Sequence, residues 1–294
     1  MDQAEQLRSI IKAKQPQRRP LARVLAVTSG KGGVGKSNTS INLAIQFRKM
    51  GYKVVILDAD FGLANIEIMF GTVPKYNLCD LIYKGKNIKE IISWGAGDVG
   101  FISGGSGIMG MANLSRDQLN CIIQNLVQLD TIADIIIIDT GAGISDAVLE
   151  FLVAGGEIIL VTTPEPTSIT DSYSLLKALS CHPRFSADTT QIKVIANRVN
   201  RIDDGEVLFH KLNAVVKRYL KITVSYLGAV PQDKQLTDAV MQQKPVSLSA
   251  PNAKAAQAYE RIAARLTNVG KETPIKKKGM AAFFSNMISG KKSK

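Results

Sequence analysis

Cysteine is scarce in this 294-residue chain, and the three it has (Cys79, Cys121 and Cys181) stand apart. They show neither metal-ligand spacing nor an even disulfide framework, which argues for reduced thiols in a cytosolic protein. Long apolar runs are missing too: no segment reaches the ~18 consecutive apolar residues that a spanning helix needs. The first residues contain no apolar signal core, which argues against secretion. Net positive charge is thin in the middle of the chain, where acids nearly balance the bases. Net charge is +12, but the first 23 residues carry +4 and the last 24 carry +6, leaving +2 for everything between. A core that gripped nucleic acid would hold its basic residues itself, so this distribution points to contacts made by the tails.

Hydrophobic residues make up 45% of the sequence, enough for the core of one large α/β domain or two small ones. Its most informative stretch is Gly30-Lys31-Gly32-Gly33-Val34-Gly35-Lys36-Ser37. An apolar run (Val24 to Val27) precedes it, and apolar residues at helical spacing (Ile41, Leu43, Ala44, Phe47) follow. Strand, glycine loop and helix in that order make a phosphate-binding loop. The glycines let backbone N–H groups turn inward around phosphate oxygens, and the helix presents its positive end to the same oxygens. Lys36 is placed for the β- and γ-phosphates and Ser37 for Mg²⁺. Lys31 is a second lysine that an ordinary phosphate loop does not need.

Apolar runs suited to buried strands recur at 24–28, 53–58, 98–102, 134–139, 157–162, 191–196 and 224–230. Helical patterns separate them, at about 37–50, 64–70, 115–130, 145–154, 167–181, 204–220, 233–242 and 251–268. Strands without polar alternation, interleaved with helices, predict an α/β fold whose mostly parallel sheet is covered on both faces. In such folds ligands gather at the carboxyl ends of the strands. Asp58, Asp60 and Asp139 all follow strand-like runs, and Asp139 leads into Thr140-Gly141-Ala142-Gly143. A strand-terminal aspartate is often a helix cap, so Asp58 alone means little. Downstream of a phosphate loop, however, Asp139 is better read as holding Mg²⁺ and Asp60 as orienting the attacking water. Asn197 also ends a strand, where its amide could pair with a nucleobase or stabilise a turn.

The loop with its second lysine, the D-A-D-F-G-L-A-N stretch at 58–65 and the D-T-G-A-G turn at 139–143 resemble the MinD/ParA group of deviant Walker P-loop ATPases, of SIMIBI-like fold. The resemblance covers about 24–268. It implies hydrolysis of ATP to ADP and phosphate with Mg²⁺, the nucleotide being held by Gly30, Lys31, Gly32, Gly33, Val34, Gly35, Lys36, Ser37, Asn38 and Asn197. It implies metal contacts at Ser37, Asp60 and Asp139, with Lys31, Lys36, Asp60 and Asp139 as the catalytic set. Lys31 would cross to the nucleotide of a partner in an ATP-dependent homodimer, and Asp171 would lie at a dimer and regulator contact. Within the group the sequence is similar to the flagellar subgroup FlhG (also FleN or YlxH). The similar segments are 37–44, Pro-Glu-Pro-Thr-Ser-Ile-Thr-Asp-Ser-Tyr at 164–173, and Asp2-Gln3-Ala4-Glu5-Gln6-Leu7-Arg8. That resemblance implies control of flagellar number or placement, contact with flagellar switch components, and stimulation of the GTPase FlhF through Gln3, Leu7 and Arg8.

The tails also have a physical reading of their own. Ala4, Leu7, Ile10 and Ile11 form an apolar stripe within a basic arm, 1–23, that is either disordered until it docks or packed on its own domain. Met280, Phe283, Phe284, Met287 and Ile288 fall on one helical face, bracketed by lysines at 276–278 and 291–294. Such a face after an ATPase domain at 24–270 predicts an in-plane anchor on an anionic inner membrane, the protein shuttling between that surface and the bacterial cytoplasm. A helix packed back on the domain is the competing arrangement. Nucleic acid fits less well, because the lysines bracket an apolar face. Three other assignments use the same fold. A MinD-like division ATPase would not need the 2–8 arm, and a ParA-like DNA-positioning ATPase expects a basic core. An iron–sulfur carrier expects paired cysteines.

Overall fold

A computed structural model of the chain describes residues 21–60, 65–105, 116–272 and 279–288. The arm residues Gln3, Leu7 and Arg8 lie outside the described residues, as do the lysines at 276–278 and 291–294.

Eight strands form one sheet in the order β3-β4-β2-β5-β1-β6-β7-β8. They are β1 (Arg23–Ser29), β2 (Val54–Ala59), β3 (Ser93–Trp94), β4 (Gly100–Ile102), β5 (Ile135–Ala142), β6 (Glu157–Thr162), β7 (Gln191–Val199) and β8 (Val224–Pro231). All neighbours pair in parallel except β3 with β4. The run Ile135-Ile136-Ile137-Ile138 shows why. Successive side chains of a strand point to opposite faces. Ile135 and Ile137 enter the core on one side, Ile136 and Ile138 the core on the other. A strand apolar at every position therefore sits in a sheet buried on both faces.

The helices are α1 (Lys36–Lys49), α2 (Asn65–Phe70), α3 (Leu78–Tyr83), α4 (Ile88–Ile91), α5 (Arg116–Leu126), α6 (Leu129–Ile132), α7 (Asp146–Gly155), α8 (Pro166–Ser180), α9 (Ile202–Tyr219), α10 (Lys234–Met241), α11 (Val246–Ser249), α12 (Lys254–Glu272) and α13 (Gly279–Ile288). Residues of α1, α11 and α12 fill the core on one side of the sheet. Those of α3, α5, α7, α8, α9 and α13 fill it on the other.

The expected strands and long helices are present with small shifts of boundary. The expected helix over 115–130 is two helices, α5 and α6, and the last domain helix runs on to Glu272. Three short helices (α3, α4 and α11) and the two-residue strand β3 are additions, since elements this short carry too few residues to show a period. The expected strand at 98–102 is shorter, because Ala96–Asp98 turns as a 3-10 helix before β4.

Candidate functional site

The glycine loop leaves β1 at Ser29 and runs directly into α1, as its strand–loop–helix sequence requires. Gly35 precedes the helix at φ 93°, and no side chain caps it, so the first N–H groups of α1 remain available to a ligand. A Cβ on Gly35 would lie 2.3 Å from Asn197 Nδ2, so only glycine lets β7 approach the loop this closely. Gly30 is equally constrained from the other side, by the backbone of α8 at Asp171 and Ser172.

Three polar side chains meet beneath the loop. Lys36 Nζ lies 3.3 Å from Asp139 Oδ1, which also accepts a 2.8 Å hydrogen bond from Ser40 Oγ. Lys36 Nζ is 3.5 Å from Ser37 Oγ. Asp139 is fully buried, and its Oδ2 has no hydrogen-bond partner among the described residues. A buried carboxylate oxygen without a partner is costly, and one on a carboxylate paired with the lysine of a phosphate loop fits a cation or an ordered water. Asp58 stands in register with Asp139 on the neighbouring strand. Burial, reinforced by the Asp139 charge, pushes its carboxyl up to about 7, although Asp60 N–H, Ile66 N–H and Lys36 oppose the rise. Asp58 thereby ties the end of β2 to the start of α2, with hydrogen bonds from Asp60 N at 3.1 Å and Ile66 N at 3.3 Å. Asp60 is half-buried, its Oδ1 3.8 Å from where a Cβ on Gly141 would sit. The glycine turn is fixed to the loop's base by Thr140 Oγ1 donating to Val27 O and Gly143 N donating to Ser29 O.

Across the loop, Asn197 Nδ2 donates to Val34 O at 2.7 Å, while its buried Oδ1 has no partner among the described residues. The loop after β8 adjoins it, with Gln232 N donating to Val199 O. Asp58 thus lies near the end of β2 and Asp139 in the second half of β5, and Asn197 lies beyond β6 on the other side of β1.

A family model described as ParA, NUBPL iron-transfer P-loop NTPase, matches residues 21–267. The chain belongs to the ParA/MinD family of P-loop NTPases. It is 37% identical over 261 residues to antiactivator FleN of Pseudomonas aeruginosa, covering 89% of this chain and 91% of that protein. It is 33% identical over 297 residues to flagellum site-determining protein YlxH of Helicobacter pylori, covering 98% of each. Among solved structures it resembles septum site-determining protein MinD of Pyrococcus horikoshii, complexed with Mg-ADP, at 23% identity and a TM-score of 0.66, over 85% of this chain and 98% of that one. The last likeness is one of fold. Its donor set suits the ParA/MinD ligand. Mg²⁺ needs only one or two protein oxygens when phosphates and waters complete its shell, and the unpartnered Asp139 Oδ2 with the Ser37 hydroxyl would fit that need. Among the described residues, no cluster of three or more His, Cys, Asp or Glu could hold a metal by itself.

In this ParA/MinD NTPase, Lys31 is turned toward its own chain. Its Nζ lies 3.0 Å from Glu165 Oε2 and 2.9 Å from Thr167 Oγ1, both at the start of α8, and the pair is solvent-exposed. Asp171 is half-buried on the same helix, against Gly30. The C-terminal helix α13 is also turned inward. Met280 and Phe283, expected on a membrane-facing side, are buried on the domain. Phe283 stacks on Phe151 of α7 with ring centroids 6.0 Å apart, and Asp130 accepts Met280 N–H at 2.9 Å on one carboxylate oxygen and 3.0 Å on the other. Phe284, Met287 and Ile288 are part of α13, but their side chains lie outside the described residues.

Asp58, Ser40, Glu165 and Thr167 are site residues beyond those singled out in the sequence. Ser40 was visible in outline, one helical turn after Lys36. Asp58 was discounted because a strand-terminal aspartate has a common capping role, and only the β2–β5 register brings it beside Asp139.

Proposed function

We propose that the chain is an ATP-hydrolysing switch that sets flagellar number or placement. The observation that carries this is the buried Lys36–Asp139–Ser40 cluster beneath the glycine loop, in a chain of the same family as FleN and YlxH. Bound ATP with Mg²⁺ supplies the transferable phosphoryl group and neutralises its developing charge. Lys36 holds the terminal phosphate oxygens. Ser37 and Asp139 hold the metal, directly or through water. Asp60 orients the attacking water beside the Gly141 turn. Asn197 accepts from the adenine amino group with the oxygen it leaves unpaired.

Nucleotide state then governs association. Lys31 leaves Glu165 and Thr167 for the nucleotide of a second copy, and Asp171 lies in the contact. In the dimer, α13 exchanges the domain for an anionic membrane surface. The arm residues Gln3, Leu7 and Arg8 stimulate the GTPase FlhF, and flagellar switch components are the further partners.

The deciding measurement is ATP binding and turnover by the full chain. Lys36→Ala is expected to abolish binding. Asp60→Ala is expected to keep binding and dimerisation while turnover falls roughly a hundredfold or more, the scale seen when one transition-state contact is removed. Retained ATP binding in Lys36→Ala would overturn the reading of the loop. Unchanged turnover in Asp60→Ala would remove its role in positioning water.

A further inference from the structure

Strand β8 ends the sheet, and two helices pack on it from opposite faces. Phe209 and Leu212 of α9 enter the core on one side, Tyr259 and Ile262 of α12 the core on the other. Residues of both helices can share a cavity only around the open edge of the strand, and one lies there. It measures about 70 Å³, between Glu206 of α9, Tyr226 and Gly228 of β8, and Arg261 and Arg265 of α12. The exposed Ile202 also lines it. None of these residues belongs to the cluster beneath the phosphate loop.

Local features of the strand shape this notch. Val194 pairs with Tyr226 and Ile195 with Gly228, so Leu227 is an extra residue that β7 leaves without a partner. Arg265 Nη1 donates to the Leu227 carbonyl at 2.9 Å, which fixes one end of its guanidinium at the strand edge. Gly205 makes room for Tyr226, because a Cβ there would lie 2.5 Å from the phenol oxygen. Burial, then the Glu206 charge, raises the Tyr226 phenol above its ordinary value against the opposing charge of Arg265, so the group stays an O–H donor. Among the described residues that hydroxyl makes no hydrogen bond, and Arg261 and Glu206 enter no salt bridge. The notch therefore holds donors and an acceptor that the domain itself does not use.

Guanidinium groups present paired N–H donors that match the two oxygens of a carboxylate. The volume admits one such group and little more, so the rest of the ligand lies outside, beside Ile202. Nucleic acid fits less well. Glu206 and Asp203 bring negative charge within reach of Tyr226, and a phosphate backbone has no N–H groups to meet it, whereas a peptide has. We propose that this notch at the open edge of β8 docks an acidic segment of a partner protein: a Glu or Asp side chain meets Arg261 and Arg265, and an apolar neighbour covers Ile202. The contact is separate from nucleotide binding and does not rest on it.

The test follows the arginine side-chain Nε–Hε NMR resonances of the full chain, those of Arg261 and Arg265 being assigned by their loss in Arg261→Gln and Arg265→Gln. Three probes are titrated: the capped peptide acetyl-Leu-Glu-Val-amide, the same peptide with Gln for Glu, and a thymidine hexanucleotide. The Glu peptide is expected to shift both resonances saturably, and the Gln peptide to bind about tenfold more weakly, the scale of one charge-assisted hydrogen bond. Read at Arg265, Arg261→Gln should weaken the Glu peptide by a similar factor, and Arg261→Lys, which keeps the charge without the fork, should recover part of the loss. Glu206→Gln should narrow the preference for peptide over oligonucleotide. Arg261 and Glu206 are exposed side chains, so these variants keep the fold. No shift at either arginine, an equal response to the Gln peptide, or a response that Arg261→Gln leaves unchanged would overturn the proposal. So would tighter binding of the hexanucleotide, which would make the notch a nucleic-acid contact, or shifts produced by raising protein concentration alone, which would make it a contact between copies. A chain that failed to bind ATP would strike the phosphate-loop reading and leave this one standing.

Discussion

Glu157 shows how one residue can hold a fold at the end of the sheet away from the site. It opens β6 almost fully buried between two cations. Arg23 makes a two-point contact at 2.9 and 2.5 Å, and Lys193 lies 2.5 Å from the same carboxylate. Arg23 also donates to Leu266 O of α12 at 2.8 Å, so the cluster joins three strands and a helix. Burial alone would raise the Glu157 carboxyl, but the Arg23 hydrogen bonds and the charges of Arg23 and Lys193 outweigh it and hold the group below its ordinary value. An acid with a lowered native pKa contributes stability above its unfolded pKa and loses it as pH falls through the native one. Glu157→Gln leaves two buried cations without a counter-charge, a change that costs about 3–5 kcal/mol. Denaturation at pH 7 should show that loss. The gap between wild type and variant should then shrink as pH falls below ~4.5, where the carboxyl of the unfolded chain takes up its proton, and go on shrinking until the native carboxyl is protonated too. A gap that is constant down to pH 3 would mean that Glu157 acts by shape and not by charge.

Elements differed in how plainly the sequence announced them, and length explains most of the difference. The long helices showed their apolar period, and the buried strands showed runs such as Val54 to Leu57 and Ile135 to Ile138. The phosphate loop, Asp60 and Asp139 were legible because motif and strand end coincide. Asp58 was not, because its partner is 81 residues away and pairs only through sheet register. For the turn of helix from Leu78 to Tyr83, the informative signal was its cap. Asn77 accepts Cys79 N–H at 2.8 Å, and Asp80 accepts Asn77 N–H at 2.9 Å, a reciprocal capping box. Asn87 and Glu90 repeat the pattern before α4. A helix of six residues has little propensity to form alone, so its cap and the burial of Leu78 and Leu81 must sustain it. Asn77→Ala should cost roughly 0.5–2 kcal/mol by chemical denaturation. Hydrogen exchange should concentrate the added opening in 78–83. A loss spread evenly over the sheet would count against the cap as its cause.

At the scale of the whole molecule, the question is what moves when the nucleotide changes. Helix α7 follows the glycine turn at 139–143 directly, and α13 rests on α7 through Phe283 and Phe151. Burying Met280 and Phe283 contributes roughly 1.5–3 kcal/mol each. The Asp130 bonds to Met280 N–H add to this docking by fixing the first turn of α13. Under the proposed switch, each lysine flanking α13 in the sequence would add about 1 kcal/mol near anionic lipid, and the proposed dimer would present two such segments. Asp130→Ala weakens the docked state and leaves the apolar face intact. It should therefore raise sedimentation with anionic liposomes in ADP severalfold over wild type. Phe283→Asp damages both states and should abolish sedimentation in ATP without lowering ATP affinity. Asp130→Ala that left liposome binding unchanged in ADP would show that the cap does not hold α13 back. Phe283→Asp that still sedimented with ATP would place the membrane contact elsewhere on the chain.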